Sequence, residues 1–122
     1  MAIGATLVDV GNFLCVDADP LAAVRTSLPT ASVVHLKDFR VRPQLEPPGD
    51  PAAEGWLRTV GGAGLLGSVV GEGDLPLAAI VREVRSSGFD GPVTIEFEGP
   101  EDDDAAVAAG LAHARRLWAE AA

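Results

Sequence analysis

The sequence predicts an α/β fold in which about three parallel strands alternate with three main helices. Two observations lead to this prediction. A short apolar segment of strand length precedes a segment with helical periodicity, and this order occurs three times along the chain. The chain has 122 residues, of which 48% are hydrophobic, so it can bury a core as one domain spanning residues 1–122.

The first strand is predicted at residues 5–10, because this segment is rich in apolar and β-branched residues and ends in a Gly-Asn pair. The first helix is predicted to begin with Asp19 as its N-cap residue and Pro20 at its first position. Leu21, Val24 and Leu28 then lie on one helical face, and the following Pro29 predicts the end of the helix.

The second strand is predicted at residues 32–37. Residues 38–73 are rich in glycine and proline and predict a long loop, either functional or disordered. A short helical turn is expected within residues 51–60, around Trp56.

The second unit continues after this loop with Asp74, which is expected to cap a helix that ends near Gly88. A third strand is predicted at residues 92–97, and a final helix starts in the acidic run 101–104, which suits the helix dipole. Each of the two helices has a predicted buried face. These faces comprise Leu77, Ile80, Val81 and Val84 in the first and Val107, Leu111, Ala114 and Trp118 in the second.

Composition excludes several functional classes. The net charge of −9 argues against binding to a phosphate backbone, and the single cysteine, Cys15, excludes a disulfide framework within one chain. The apolar runs are far shorter than a membrane span, and no basic segment follows Met1. We therefore expect a cytoplasmic protein without nucleic-acid or membrane partners.

Ionisable residues lie near the carboxyl end of each predicted strand. Asp9, His35 and Glu96 each lie on the polar face of their strand, because side chains alternate between faces with a period of two. The carboxyl ends of parallel strands meet at one edge of a sheet, so the three side chains are expected to converge. One imidazole and two carboxylates are suitable ligands for Mn, Zn, Co or Mg.

Structural roles are also consistent with these residues. An aspartate at the end of a strand is commonly a turn or cap residue, and a histidine in a strand is commonly held by hydrogen bonds. Glu96 lies in a Glu-Phe-Glu segment, where alternation alone predicts a solvent-exposed face. His113 is expected at the surface, and residues 71–74 are expected to form a turn before a helix.

Four segments occur in the order of landmarks in one known family. They are Leu7-Val-Asp-Val-Gly-Asn-Phe13, Val34-His-Leu-Lys-Asp38, Gly71-Glu-Gly-Asp74 and Thr94-Ile-Glu-Phe-Glu-Gly99. Together they resemble the C-terminal half of the sugar phosphate isomerase/epimerase family, the xylose-isomerase-like TIM barrels. The resemblance extends from about residue 5 to residue 118.

The resemblance implies a divalent metal bound by Asp9, His35, Glu96 and a further glutamate on a strand before residue 1. It also implies that Glu96 is one of two acid/base carboxylates. Substrate-pocket roles are implied for a second set of residues. These are Asn12, where some members have a histidine, together with Lys37, Asp38 and Glu72.

A full barrel of this kind has about 250 residues, and the resemblance implies that this chain corresponds to its last three βα units. Such a partial TIM-barrel unit leaves two open sheet edges, so the chain is either a fragment of a longer parent or assembles into a homo-oligomer. The implied function is metal-dependent isomerisation or epimerisation of a small keto- or aldo-sugar, or its phosphate, through an enediolate. The alternative is an inactive half-barrel that serves as an oligomerising or ligand-binding module. Cleavage of abasic DNA, another activity of this fold, is disfavoured by the negative charge and the presence of only two histidines.

Overall fold

The computed structural model describes residues 6–44 and 55–122. Within them, the chain forms six strands and three α-helices. Their order is β1 (Thr6–Asp9), α1 (Pro20–Ser27), β2 (Ala31–Leu36), β3 (Asp38–Arg42), β4 (Leu57–Arg58), β5 (Gly64–Ser68), α2 (Leu77–Ser86), β6 (Val93–Ile95) and α3 (Asp103–Glu120). Short 3₁₀ turns cover Asn12–Val16 and Leu28–Thr30.

A parallel sheet with the order β1-β2-β6 confirms the three predicted parallel strands. One face of this sheet packs on the helices through a buried aliphatic core. The core includes Val8, Val10, Val24, Val34, Leu36, Ile80, Val81 and Val84. The predicted apolar stripe of α2 is thus buried, and α1 begins as predicted, since Asp19 Oδ2 accepts a hydrogen bond from Ala22 N at 2.9 Å.

A second, antiparallel sheet with the order β3-β5-β4 replaces part of the long loop predicted at residues 38–73. The prediction was wrong because Phe39 and Val41 alternate with Arg40 and Arg42, a strand pattern that the surrounding glycine and proline residues obscure. Leu57–Arg58 is a strand, so the predicted helical turn is wrong there. Residues 51–54 of that turn lie outside the described residues.

Asp74 does not cap α2, which contradicts the prediction. The helix begins at Leu77 after Pro76, with no side-chain cap, whereas Asp74 Oδ2 accepts a hydrogen bond from Val41 N at 2.7 Å. The carboxylate therefore links the turn before α2 to strand β3, and it is unavailable to the helix N-terminus.

The predicted buried face of α3 is wrong for two of its four residues. Val107 and Leu111 are 44% and 39% exposed, whereas Ala106 and Gly110 are buried. Gly110 lies against Val70 and Ile95, and a Cβ atom there would approach Val70 Cβ to 3.3 Å. Small residues thus bring α3 close to the sheet and rotate its larger aliphatic residues outward.

The two outer strands of the parallel sheet each have one free edge within the described residues, since β1 and β6 both pair with β2. Leu7 on β1 is 51% exposed. Beside β6, an open groove of about 280 Å³ is lined mainly by apolar side chains. No helix in the described part of the chain is both long enough and apolar enough to cross a membrane.

Candidate metal and substrate site

The carboxyl ends of β1, β2 and β6 bring Asp9, His35 and Glu96 together, as the alternation of side chains predicts. Asp9 ends β1 and lies opposite His35 in the strand register, and Glu96 directly follows β6. One ligand atom from each side chain lies within 4.8 Å of the others. This edge of the sheet therefore offers two carboxylates and one imidazole around a small volume.

The Asp9 carboxylate is buried and oriented by the backbone. Its Oδ1 atom accepts hydrogen bonds from Gly11 N at 3.0 Å and Asn12 N at 3.1 Å. Its Oδ2 atom lies 3.0 Å from Lys37 Nζ. The turn after β1 thus fixes the direction of the carboxylate and leaves Oδ2 directed toward the other site residues.

His35 supplies a nitrogen whose hydrogen-bonding capacity is unused. Among the described residues the buried Nδ1 atom has no hydrogen-bond partner, and it lies 3.6 Å from Glu96 Oε2. A buried polar atom without a partner is energetically costly unless a ligand, ion or water satisfies it. Imidazole nitrogen is a common metal ligand, so the donor set of Asp9, His35 and Glu96 fits a divalent cation.

Lys37 lies among these acidic groups and shares their face of the sheet. Its Nζ atom contacts Asn12 Oδ1 at 2.9 Å, Glu96 Oε2 at 3.3 Å and Glu98 Oε1 at 3.4 Å, in addition to Asp9. Burial alone would lower the pKa of Lys37. The hydrogen bond to Asp9 and the negative charges of Asp9, Glu98 and Glu96 outweigh burial, so the pKa of Lys37 lies above its usual 10.5.

The raised pKa of Lys37 predicts a specific alkaline instability of the metal-free protein. Because the folded pKa exceeds the unfolded one, the stabilisation is complete below pH 10.5 and is lost as pH rises through the folded value. Lys37 is the only lysine and the chain has no tyrosine, so few other groups titrate there. Denaturant melts with a chelator, between about pH 9 and pH 12, should show falling stability for the wild type and a flatter profile for Lys37→Met. Equal slopes would contradict the assignment.

The other residues expected in the substrate pocket differ in position. Asn12 is exposed and belongs to the site through its contact with Lys37. Glu72 contacts His113 on α3 instead, with Oε2 lying 3.2 Å from His113 Nε2. His113 also lies 2.6 Å from an Arg116 nitrogen, so it links the Glu72 turn to α3 from a partly exposed position at the surface.

Asp38 is buried beneath the turn that carries Glu72. Its Oδ2 atom accepts hydrogen bonds from Gly71 N and Gly73 N, both at 2.9 Å, and its Oδ1 atom accepts from Phe39 N at 3.0 Å and Leu75 N at 3.2 Å. Burial raises the pKa of Asp38, and these four bonds lower it only in part. A carboxylate accepts about four hydrogen bonds, so little capacity remains for a substrate hydroxyl.

Glu98 is a site residue that the sequence reasoning did not select. Its carboxylate reaches Lys37, and its backbone passes so close to Gly67 of β5 that a Cβ atom at Gly67 would collide with Glu98 O. Alternation placed Glu98 on the same face as Glu96, which was the available signal. The sequence does not predict the approach to Gly67, because it predicts a loop where β5 lies.

No protein-family model and no curated protein matches this chain. Solved structures do match. A xylose isomerase domain protein from Planctomyces limnophilus aligns with a TM-score of 0.66 and 20% identity over 95% of this chain and 36% of its own. A xylose isomerase-like TIM barrel protein from Mycobacterium smegmatis, in complex with magnesium, aligns with a TM-score of 0.63 and 19% identity over 93% and 34%.

A third match, a xylose isomerase domain protein from Alicyclobacillus acidocaldarius, has a TM-score of 0.58 and 20% identity over 96% of this chain and 38% of its own. Identities near 20% demonstrate similarity of fold alone, and the chain spans about a third of the length of these structures. The architecture, the parallel strand order and these matches agree. The chain has the fold of one part of a xylose isomerase-like TIM barrel.

Proposed function

We propose that Asp9, His35 and Glu96 hold a divalent metal, namely Mn, Zn, Co or Mg. The observation that carries this proposal is the buried Nδ1 atom of His35, which has no hydrogen-bond partner in the described part of the chain and lies 3.6 Å from Glu96 Oε2. It belongs to a triad in which one candidate ligand atom from each residue lies within 4.8 Å of the others. The magnesium complex of the Mycobacterium smegmatis protein supports a divalent metal in this fold. A fourth ligand, a glutamate from another part of a barrel, would complete the coordination.

The activity that we propose for this site is isomerisation or epimerisation of a small keto- or aldo-sugar, or its phosphate. When bound, a divalent cation polarises the carbonyl group of the substrate and makes the neighbouring C–H bond more acidic. Glu96 would take the proton from that carbon, leaving an enediolate. Its contacts with His35 and Lys37 use Oε2, so Oε1 can serve in the proton transfer.

Asn12 and Lys37 would bind the oxygens of the substrate. Asn12 is exposed beside the candidate ligands and carries both a donor and an acceptor, and the Lys37 ammonium has three donors. Glu98 adds a third polar side chain to this group through its contact with Lys37. Asp38 and Glu72 would act more remotely, because Asp38 accepts hydrogen bonds from Gly71 N and Gly73 N and Glu72 contacts His113.

Exchange of the substrate proton with solvent tests the proposal in the chain as it stands. Removal and return of one proton require a single carboxylate, whereas epimerisation requires two. In D₂O with Mn²⁺, NMR should show loss of the proton next to the carbonyl for at least one ketose in a panel. Glu96→Gln should reduce this exchange to the uncatalysed rate. The control variant Glu120→Gln, which changes an exposed residue of α3, should retain the exchange. If Glu96→Gln exchanged the proton as fast as the wild type, Glu96 would not be the residue that removes it.

A specific observation favours the alternative, an inactive half-barrel that acts as an oligomerising or ligand-binding module. The chain spans about a third of the length of the matched barrel structures, and within the described residues both outer strands of its parallel sheet have free edges; Leu7 on β1 is an exposed apolar residue there. Burying those edges against further copies would remove apolar surface from water. We propose a homo-oligomer on this basis.

Light scattering tests the assembly. The expected mass is at least twice 12.5 kDa, and a stable monomer of 12.5 kDa would contradict the proposed homo-oligomer. An oligomer that binds no metal and catalyses no proton exchange would favour the inactive module over the isomerase. We propose a cytoplasmic location for the protein under both proposed functions.

A further inference from the structure

The Lys37 ammonium makes its closest carboxylate contacts with atoms that a metal would need. It lies 3.0 Å from Asp9 Oδ2 and 3.3 Å from Glu96 Oε2. We propose that a divalent cation and the Lys37 ammonium compete for these two oxygens, so that metal binding displaces Lys37 from the centre of the site. This inference rests on the proposed metal site and adds to it a residue that sets the affinity for metal.

The hydrogen bonds of Asp9 make the competition specific. Oδ1 already accepts two backbone hydrogen bonds, from Gly11 and Asn12, so Oδ2 is the oxygen with capacity for a cation. That atom is the one that Lys37 contacts. On the other side of the site, Glu96 Oε2 faces His35 Nδ1 and is also the atom that Lys37 contacts.

Two cations would be close together if Lys37 stayed in place. Metal–carboxylate bonds are about 2 Å long, and Lys37 Nζ is 3.0 Å from the same Asp9 oxygen. The ammonium and the metal would therefore lie within about 5 Å of each other, in a site where the Lys37 and Asp9 side chains are each only 5% exposed. Little solvent is available there to screen the repulsion.

The structure also provides a place for the displaced ammonium. Lys37 Nζ contacts Asn12 Oδ1 at 2.9 Å and Glu98 Oε1 at 3.4 Å, and neither residue belongs to the candidate ligand set. Asn12 is exposed and the Glu98 side chain is 56% exposed. A small outward movement would keep these partners and present the ammonium where a substrate would enter. Metal binding would thus release a substrate-binding group.

Calorimetric titration with Mn²⁺ tests the competition through affinity. Lys37→Met should bind Mn²⁺ at least about tenfold more tightly than the wild type, because the competing charge is gone. Arg25→Met is the matched control, since it also removes one positive charge, from a side chain that is 61% exposed and paired with Glu83. The control should stay within about twofold of the wild type. Unchanged or weaker binding by folded Lys37→Met would overturn the inference.

A second measurement uses the wild type and therefore does not depend on the folding of a variant. Because Lys37 is the only lysine, mass spectrometry of its peptide after brief acetylation reports the reactivity of this one ammonium group. Saturating Mn²⁺ should accelerate the acetylation several-fold in the wild type and leave it unchanged in His35→Ala. A wild type that binds Mn²⁺ without acceleration overturns the displacement alone. Absence of Mn²⁺ binding in both wild type and Lys37→Met overturns the proposed metal site as well.

Discussion

Replacing His35 with alanine is expected to lower the affinity for Mn²⁺ by about 100-fold or more, which is the largest effect in this account. Loss of a residue that only orients a metal ligand commonly costs 10- to about 100-fold in affinity, and loss of the ligand itself should cost at least as much. The substitution removes the buried Nδ1 atom, for which the described part of the chain provides no hydrogen-bond partner. Isothermal titration with Mn²⁺ measures the effect.

His113→Ala is the matched control, because His113 is the only other histidine in the chain. It contacts Glu72 and Arg116 rather than the triad, so the variant should bind Mn²⁺ like the wild type. If both histidine variants bound Mn²⁺ equally well, His35 would not be a ligand. The circular dichroism of His35→Ala should remain that of the wild type, because the His35 side chain is partly exposed and its Nδ1 atom has no hydrogen-bond partner among residues 6–44 and 55–122.

Replacing Asp38 with alanine is expected to lower the free energy of unfolding by about 3 kcal/mol, because several backbone N–H groups lose their acceptor. The four donors belong to Phe39 and to the turn that leads into α2. Some of them face solvent at the turn and can find water, which limits the loss. Urea unfolding followed by the fluorescence of Trp56 and Trp118 measures the change.

Asp74→Ala provides the comparison within the same turn. Its carboxylate accepts one hydrogen bond, from Val41 N, at an exposed position, so the expected loss is about 1 kcal/mol. Equal losses for the two variants would mean that the four bonds of Asp38 do not organise the turn. A loss of Mn²⁺ affinity in folded Asp38→Ala would instead indicate that this turn contributes to the metal site.

Much of the parallel α/β part of the fold could be predicted, because the signals for its helices are local in sequence. Asp19 and Pro20 define the start of α1 by their own chemistry, and the stripe of α2 follows from a spacing of three and four residues. The antiparallel sheet could not be recognised in the same way. Its middle strand contains Gly64 and Gly67, which lower strand propensity, and Gly67 is required by the approach of the Glu98 backbone, a contact distant in sequence.

The candidate site shows the same division. The convergence of Asp9, His35 and Glu96 follows from period-two alternation and from the common direction of parallel strands, both of which sequence reveals. The different surroundings of the Lys37 and Asp38 side chains do not follow from these sequence patterns. Adjacent residues project to opposite sides, so Lys37 enters the acidic cluster while Asp38 turns into the backbone of residues 71–75. Which of the two would meet a substrate depends on that distant turn.

Anomalous X-ray diffraction from crystals grown with Mn²⁺ tests the central claim most directly. Data collected on the two sides of the manganese absorption edge locate the metal without any assumption about activity. The account predicts one strong peak per chain, within coordination distance of Asp9 Oδ2, His35 Nδ1 and Glu96 Oε2, with Lys37 Nζ moved toward Glu98. A peak at another position, or no peak at saturating Mn²⁺, would contradict it.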